Sequence, residues 1–383
     1  MTIIQHVHRG KEDADVFLLN FISLIDSDDP IFIIAGNNSY ALSGAASFFS
    51  TILDRKRYVR FSEFTVNPKI HDLKAALCAF KNSNAKLIIS IGGGSAIDLA
   101  KLVNYFAAMK VEPENYMKDK EIFNLSTLPL LAIPTTAGTG SEATHFATLY
   151  VDSKKVSISN RQILPSHVWL NFEFTVSLSP YQTACTGFDV LAQSIESYWA
   201  ISSTHQSRLY SERAIQLCME HLEGAVLAPT LENRAGMLEA AHLSGKAINI
   251  SKTTAAHALS YALTAHYGLA HGHAVALTLP AVIEVNSATN DADVNDPRGV
   301  AHVNTIMKNL CHLLKVDSPT KASQQIKALM DRIGLSDSWL SEHGFDKFTA
   351  RDIVAGECDS ERVANNPRRL NTRLIREIVA SIR

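Results

Sequence analysis

Cysteine is scarce and scattered. The five thiols in 383 residues (Cys78, Cys185, Cys218, Cys311 and Cys358) are odd in number and form no CxxC or zinc-knuckle spacing. A disulfide framework is therefore excluded, and the thiols read as reduced, mostly buried groups of a cytoplasmic protein. Long apolar runs are also missing. No window approaches the roughly 18 uninterrupted apolar residues that a membrane-spanning helix needs, so no membrane partner is expected. The opening Met1-Thr2-Ile3-Ile4-Gln5-His6 leads into charged residues rather than an apolar stretch, so no signal peptide is expected. Charge of one sign is lacking too. A formal net charge of −2 gives no field that would gather nucleic acid or anionic lipid. Low-complexity segments and internal repeats are absent.

What remains is an ordinary globular composition, 46% hydrophobic and 19% charged, on a chain long enough for about two domains. The first half alternates short apolar runs with amphipathic stretches. Strands are expected at Ile31–Ala35, Tyr58–Phe61, Leu87–Ile91 and Leu130–Pro134, with helices at Ala41–Phe49, Asp72–Lys81 and Ile97–Ala108. That alternation predicts a Rossmann-like α/β domain, a parallel sheet covered on both faces. Beyond Ser179 the pattern becomes helical: Pro180–Ala200, Thr204–Glu223, Leu231–Ile250, Thr253–Ala265, His271–Ser287, Pro297–Leu314, Pro319–Ile333 and Asn371–Ile382. Ser179-Pro180 supplies a cap and a first-turn proline. The expected division is a nucleotide-binding α/β domain at 1–178 and an all-α metal and substrate domain at 179–383, with the site in the cleft between them.

Two loops carry chemistry in the first half. Gly92-Gly93-Gly94-Ser95 follows a strand and opens a helix, so bare backbone and a helix N-terminus can face a phosphate. It is neither GxGxxG nor a Walker motif. Asp98 lies in the next turn, within reach of a ribose or substrate group. The second loop, from Thr135 to Glu142, sets the hydroxyls of Thr135, Thr136, Thr139 and Ser141 around Gly138 and Gly140. Two such loops at successive strand ends fit the ligand side of an open α/β sheet. In the second half, Asp189 on one helix and His257 and His271, fourteen residues apart on later helices, can converge on a divalent metal.

Taken in order, Gly92-Gly93-Gly94-Ser95-Ala96-Ile97-Asp98, Pro134 to Glu142, Gly187-Phe188-Asp189 with Glu196, His257-Ala258-Leu259, His271-Gly272-His273-Ala274 with Leu279-Pro280, and Asn366-Pro367-Arg368 resemble the iron-containing (group III) alcohol dehydrogenases. That family shares a fold with glycerol dehydrogenase and dehydroquinate synthase, and the resemblance covers nearly the whole chain. It implies an NAD(P)H-dependent alcohol dehydrogenase or aldehyde reductase that works as a homodimer. It also implies metal ligands at Asp189, Gln193, His257 and His271. Gln193 replaces the family's histidine, and an amide oxygen is a weak ligand for Fe2+ or Zn2+. Tyr261 stands where the family has a second histidine used for proton relay, leaving Tyr261, His273 or His266 for that work. A carboxylate that binds the adenosine ribose is replaced by Gly36, with Asn37, Asn38 and Ser39 following, which favours NADPH over NADH. Lys155 falls where the family places a lysine near the cofactor.

The stretches Ala192 to Trp199, His257 to Tyr261, His271 to Leu277 and Asn365 to Arg368 are most similar to family members that reduce phosphonoacetaldehyde to 2-hydroxyethylphosphonate. The expected substrate is that aldehyde, with Arg368 or Arg208 as its phosphonate contact. Another short alcohol or diol is the alternative. A cyclase of the dehydroquinate synthase type or a silent nucleotide-binding protein is further away.

Overall fold

The computed structural model describes residues 5–53, 56–119, 126–152, 154–336 and 346–382. The chain divides into two compact units, Met1–Ser177 and Leu178–Arg383.

The first unit is built on a six-stranded parallel sheet. Its strands are β1 (His6–Arg9), β2 (Ile31–Ile34), β3 (Tyr58–Phe61), β4 (Leu87–Gly92), β5 (Leu130–Pro134) and β8 (His167–Leu170), in the spatial order β1-β8-β5-β4-β2-β3. The central runs Ile-Phe-Ile-Ile and Leu-Ile-Ile-Ser-Ile-Gly are buried along their whole length, as strands covered on both faces must be. One face packs on a layer containing Leu73, Leu102 and Phe106, the other on Leu18, Phe21 and Phe49. The order reverses between β2 and β4. The loops that leave those two strands therefore open side by side at the carboxyl edge, the place where such sheets receive ligands.

The four expected strands are present, and β1, β8 and the antiparallel pair β6 (Phe146–Val151) and β7 (Lys154–Ser159) join them. β1 and β8 read His-Val-His-Arg and His-Val-Trp-Leu, four residues each, too short to show a period. The single helix expected over Ala41–Phe49 is two, Asn37–Leu42 and Ala45–Ile52, because Gly44 between them takes a left-handed φ of +83°.

The second unit is helical: Pro180–Trp199, His205–Leu227, Leu231–Ser251, Ala255–Tyr267, His271–Ser287, Val300–Leu313, Pro319–Arg332, Lys347–Glu357, Ser360–Ala364 and Thr372–Ala380. Ser179 caps the first of these through the amide of Gln182, with Pro180 in the opening turn. Gly272 lets His271–Ser287 lie against Pro180–Trp199. A Cβ at Gly272 would stand 1.8 Å from the Cys185 carbonyl oxygen and 3.3 Å from the Asp189 Cβ. No described helix is long and apolar enough to cross a membrane.

Candidate active site

Asp189, Gln193 and Glu196 lie at i, i+4 and i+7 on Pro180–Trp199, so they share one face. His257 is in the first turn of Ala255–Tyr267, and His271 opens His271–Ser287. The close helix approach at Gly272 delivers His271 to Asp189. Asp189 Oδ1 is 3.1 Å from His257 Nε2 and 3.9 Å from His271 Nε2. One ligand atom from each residue falls within 4.8 Å of the other two. The side chains of Asp189 and His257 are 5% and 4% exposed, whereas that of His271 is 34% exposed. The cluster is closed on one side and approachable on the side of His271.

Glu196 completes the arrangement. Its side chain is fully buried. One oxygen faces His257 Nδ1 at hydrogen-bond contact. The other accepts from Thr254 Oγ1 at 2.9 Å and from the Ala256 amide at 2.6 Å. A carboxylate on Nδ1 fixes the tautomer that leaves Nε2 free to ligate, the arrangement that supports metal-binding histidines. Burial opposes charge on the His257 ring, but Glu196 and Asp189 outweigh it and raise the pKa to about 9. Two buried carboxylates around one imidazole call for a cation, and the donor set, one carboxylate and two imidazole nitrogens, suits a divalent transition metal.

Gln193 corrects the expected ligand set. Its Nε2 donates to Asp189 Oδ2 at 3.0 Å, and its Oε1 accepts from Ser244 Oγ at 2.9 Å. An ionised carboxylate can only accept, so the amide must turn its NH2 toward Asp189. In this arrangement Gln193 orients the Asp189 carboxylate, with its own oxygen turned to Ser244.

His273 is also corrected. Two residues along the helix from His271 the side chain points elsewhere. It is fully buried, and its Nδ1 lies 3.2 Å from the Tyr181 hydroxyl. Burial lowers its pKa. A ring with no route to water is a poor proton relay. His266 forms an exposed pair with Glu357 at 2.8 Å. Tyr261 is the expected residue that does reach the cluster, its ring stacked on His271 with centroids 5.7 Å apart.

The two arginines expected to meet substrate have other partners. Arg368 lies 2.7 Å from Asp293 and donates to the Val285 carbonyl at 2.7 Å, and Arg208 donates to Ser203 Oγ at 3.2 Å. The neighbouring asparagines of the Asn365-Asn366-Pro367-Arg368 stretch are engaged as well. Asn365 donates to the carbonyls of Ser251 and Thr253, and Asn366 is paired with Asn286. That stretch is a knot that ties the C-terminal helices to the unit, which corrects its reading as a phosphonate contact.

In the first unit the glycine loop after β4 and the hydroxyl loop after β5 press on one another. A Cβ at Gly93 would meet the Thr136 side chain at 3.2 Å, and one at Gly94 would meet Thr139 at 2.8 Å. The Thr135 amide donates to the Gly92 carbonyl at 3.0 Å. Ser39, from the loop after β2, brings its hydroxyl to 3.7 Å from where a Gly92 Cβ would stand. Three adjacent strand ends thus contribute Gly36, Asn37 and Ser39, then Gly92 to Ser95, then Thr135 to Ser141. Ser95 Oγ accepts from the Asn67 amide at 3.0 Å. Lys155 is exposed on β7 opposite Tyr150.

Asp98, expected within reach of a ribose or substrate group, is engaged within the loop. Its carboxylate accepts from Ser141 Oγ and, at 2.8 Å, from the Thr148 amide, with Lys101 Nζ 3.7 Å away. Lys101 is fully buried and donates to the Ser141 carbonyl at 2.9 Å and to Thr144 Oγ1 at 3.0 Å. Asp98 and Lys101 clamp the hydroxyl loop onto the helix Gly94–Met109. Arg60 on β3, unnoticed in the sequence, donates to Asn37 Oδ1 at 2.9 Å and lies 5.1 Å from the Tyr40 ring centroid. Three of the four residues of its strand are exposed, and its register beside β2 brings it to the loop.

Comparison with known proteins accords with this geometry. The iron-containing alcohol dehydrogenase family model matches residues 19–171, and the model for the C-terminal part of the Fe-containing alcohol dehydrogenase family matches residues 183–382. A phosphonoacetaldehyde reductase of Streptomyces viridochromogenes is 33% identical over 316 residues, 79% of this chain and 78% of that one. A 1-propanol dehydrogenase of Salmonella typhimurium is 28% identical over 84% of each chain. The crystal structure of a sulfoacetaldehyde reductase from Bifidobacterium kashiwanohense in complex with NAD+ has a TM-score of 0.85 at 25% identity, covering 100% of this chain and 98% of that one. With both family models matched in order along the chain, and a carboxylate–imidazole cluster in the second unit, this protein belongs to the iron-containing alcohol dehydrogenase family, whose members are NAD(P)-dependent alcohol dehydrogenases or aldehyde reductases.

Proposed function

We propose that this chain reduces a short aldehyde to its primary alcohol, with phosphonoacetaldehyde going to 2-hydroxyethylphosphonate, and that NADPH is the hydride donor. The observation that carries the metal-assisted reading is the Asp189–His257–His271 cluster with Glu196 on His257 Nδ1. Those three residues would hold a divalent ion, Fe2+ or Zn2+, which when bound supplies Lewis acidity toward the carbonyl oxygen. Gln193 and Glu196 orient the ligands, and Tyr261 offers a hydroxyl beside His271. The loops after β2, β4 and β5 bind the cofactor. The hydride chemistry itself belongs to the nicotinamide.

NADPH is favoured because the Gly36–Ser39 loop carries no carboxylate to repel a 2′-phosphate, while Arg60 brings a guanidinium to Asn37. The phosphonate substrate is favoured by similarity to the Streptomyces enzyme.

The test is oxidation of NADPH and NADH by purified protein with phosphonoacetaldehyde, sulfoacetaldehyde, propanal and lactaldehyde. It is repeated after chelation and after return of Fe2+ or Zn2+. A preference for phosphonoacetaldehyde that is lost on chelation and restored by metal supports the reading. Turnover that survives complete metal removal ends the Lewis-acid role. Turnover of the neutral aldehydes alone replaces the substrate with another short alcohol or diol pair.

A further inference from the structure

The open side of the ligand cluster ends in a cation. Arg362, on the short helix Ser360–Ala364, sets its guanidinium carbon 5.5 Å from the centroid of the Tyr261 ring, and that ring stacks at 5.7 Å on His271. The Tyr261 ring thus touches both His271 and the guanidinium. Tyr261 is half-buried, and the side chains of His271 and Arg362 are 34% and 20% exposed.

The guanidinium makes no hydrogen bond to a described carboxylate, although Asp359, the buried Glu196 and Glu361 lie near enough to favour its charge. Nη1 donates to Thr253 Oγ1, and Nε faces Asp359 at 3.7 Å, beyond hydrogen-bond distance. Nη2 makes no hydrogen bond to any described residue. Asp359 is itself occupied in capping the helix through the Arg362 amide. The backbone there is anchored: Asn365 and Asn366, a few residues on, are locked to Ser251, Thr253 and Asn286. The arginine is therefore positioned rather than loosely displayed.

We propose that Arg362 is the specificity-determining residue that binds the anionic end of the substrate, a tetrahedral oxyanion carried on the carbon next to the aldehyde, either phosphonate or sulfonate. Such a molecule spans only about three bonds, roughly 4 Å, from carbonyl oxygen to phosphorus or sulfur. The two ring contacts set the guanidinium carbon at most about 11 Å from the His271 ring centroid, and the contacts of about 2–3 Å at each end of the substrate, with its own span, cover most of that distance. A guanidinium offers paired N–H groups that match two oxygens of such a group.

This inference rests on the aldehyde-reductase reading of the same site, and its test separates the two. Arg362→Met and Arg362→Lys are compared with wild type in the metal-loaded enzyme, using phosphonoacetaldehyde, sulfoacetaldehyde and uncharged propanal. Ethylphosphonate and ethanesulfonate serve as dead-end competitors, with melting temperature and metal content measured alongside. The expected result is a KM for the charged aldehyde raised about ten- to a hundredfold in Arg362→Met, with weaker competition by the matching ethyl anion. Turnover of propanal stays within about threefold, and Arg362→Lys recovers part of the loss. The wild-type preference between the two charged aldehydes identifies the head group. If a folded, metal-loaded Arg362→Met keeps the wild-type KM for a charged aldehyde, Arg362 has no such role while the reductase reading stands. If wild type reduces propanal but neither charged aldehyde, and neither ethyl anion competes, the anionic substrate itself is wrong and the inference falls with it. Should Arg362→Met not fold, Arg362→Lys and wild-type inhibition by the ethyl anions decide the matter.

Discussion

Glu196→Gln isolates the role of the carboxylate behind His257. The glutamine keeps the shape of the buried side chain and an oxygen for the Thr254 hydroxyl and the Ala256 amide. Its NH2 then faces His257 Nδ1. Two donors cannot share that contact, so the imidazole must move its proton to Nε2, the nitrogen that points at Asp189. A protonated Nε2 has no lone pair for a metal. Loss of such a supporting group lowers metal affinity about ten- to a hundredfold, or about 1.4–2.7 kcal/mol. Competition of Zn2+ between the protein and a chromogenic chelator measures this directly. Thermal melting with and without metal gives a second readout, because stabilisation by a bound ion scales with the logarithm of its affinity. The melting of the metal-free variant is recorded separately, since the substitution also removes one of the two carboxylates that hold His257 charged. A folded Glu196→Gln protein that binds Zn2+ as tightly as wild type would refute the orienting role.

Four further outcomes follow from the same geometry. Gln193→His should tighten Zn2+ binding by an order of magnitude or more, read by the same chelator competition, because an imidazole at i+4 from Asp189 adds a true ligand; unchanged affinity would mean that the site cannot admit a fourth ligand. Arg60→Ala should weaken NADPH binding about ten- to a hundredfold in a fluorescence titration, since it removes charge-assisted hydrogen bonds to a phosphate, and should change NADH binding less than about threefold. Gly272→Ala should destabilise the second unit by about 1–3 kcal/mol or more and loosen metal binding, because its methyl group would collide with the Cys185 carbonyl; denaturant unfolding measures the loss. Burial, aided by the neighbouring His6, lowers the pKa of His167 from 6.5 to about 4, so the folded protein keeps this ring neutral where the unfolded chain protonates it. Its contribution is complete above pH 6.5 and fades as the pH falls toward 4. His167→Gln should accordingly show a shallower fall of melting temperature over that range.

The alternation of β2 to β5 with helices was legible because buried parallel strands leave unbroken apolar runs such as Ile31–Ile34 and Leu87–Ile91. The glycine and hydroxyl loops were legible as candidates because each directly follows an apolar strand run at the ligand side of an open sheet. The short edge strands β1 and β8 were not, since four mixed residues carry no period and pair only once the sheet exists. Glu196 was named with Asp189 in the sequence but given no role: it repeats the Asp189 face two turns later, and only its full burial shows that it must have a partner.

By itself the sequence determined the ligand types and their order along the chain, the glycine and hydroxyl loops, and the change from alternating to helical pattern near residue 178. Tertiary structure alone decided what each polar group does. Gln193 turns its amide toward Asp189 because Ser244, 51 positions away, receives its oxygen. Asp98 clamps a loop, Arg368 holds Asp293, and Arg362 reaches Tyr261 across a hundred residues of chain. Hydrogen bonds and charge act over a few ångströms of space, and separation along the chain does not say which groups packing will bring that close.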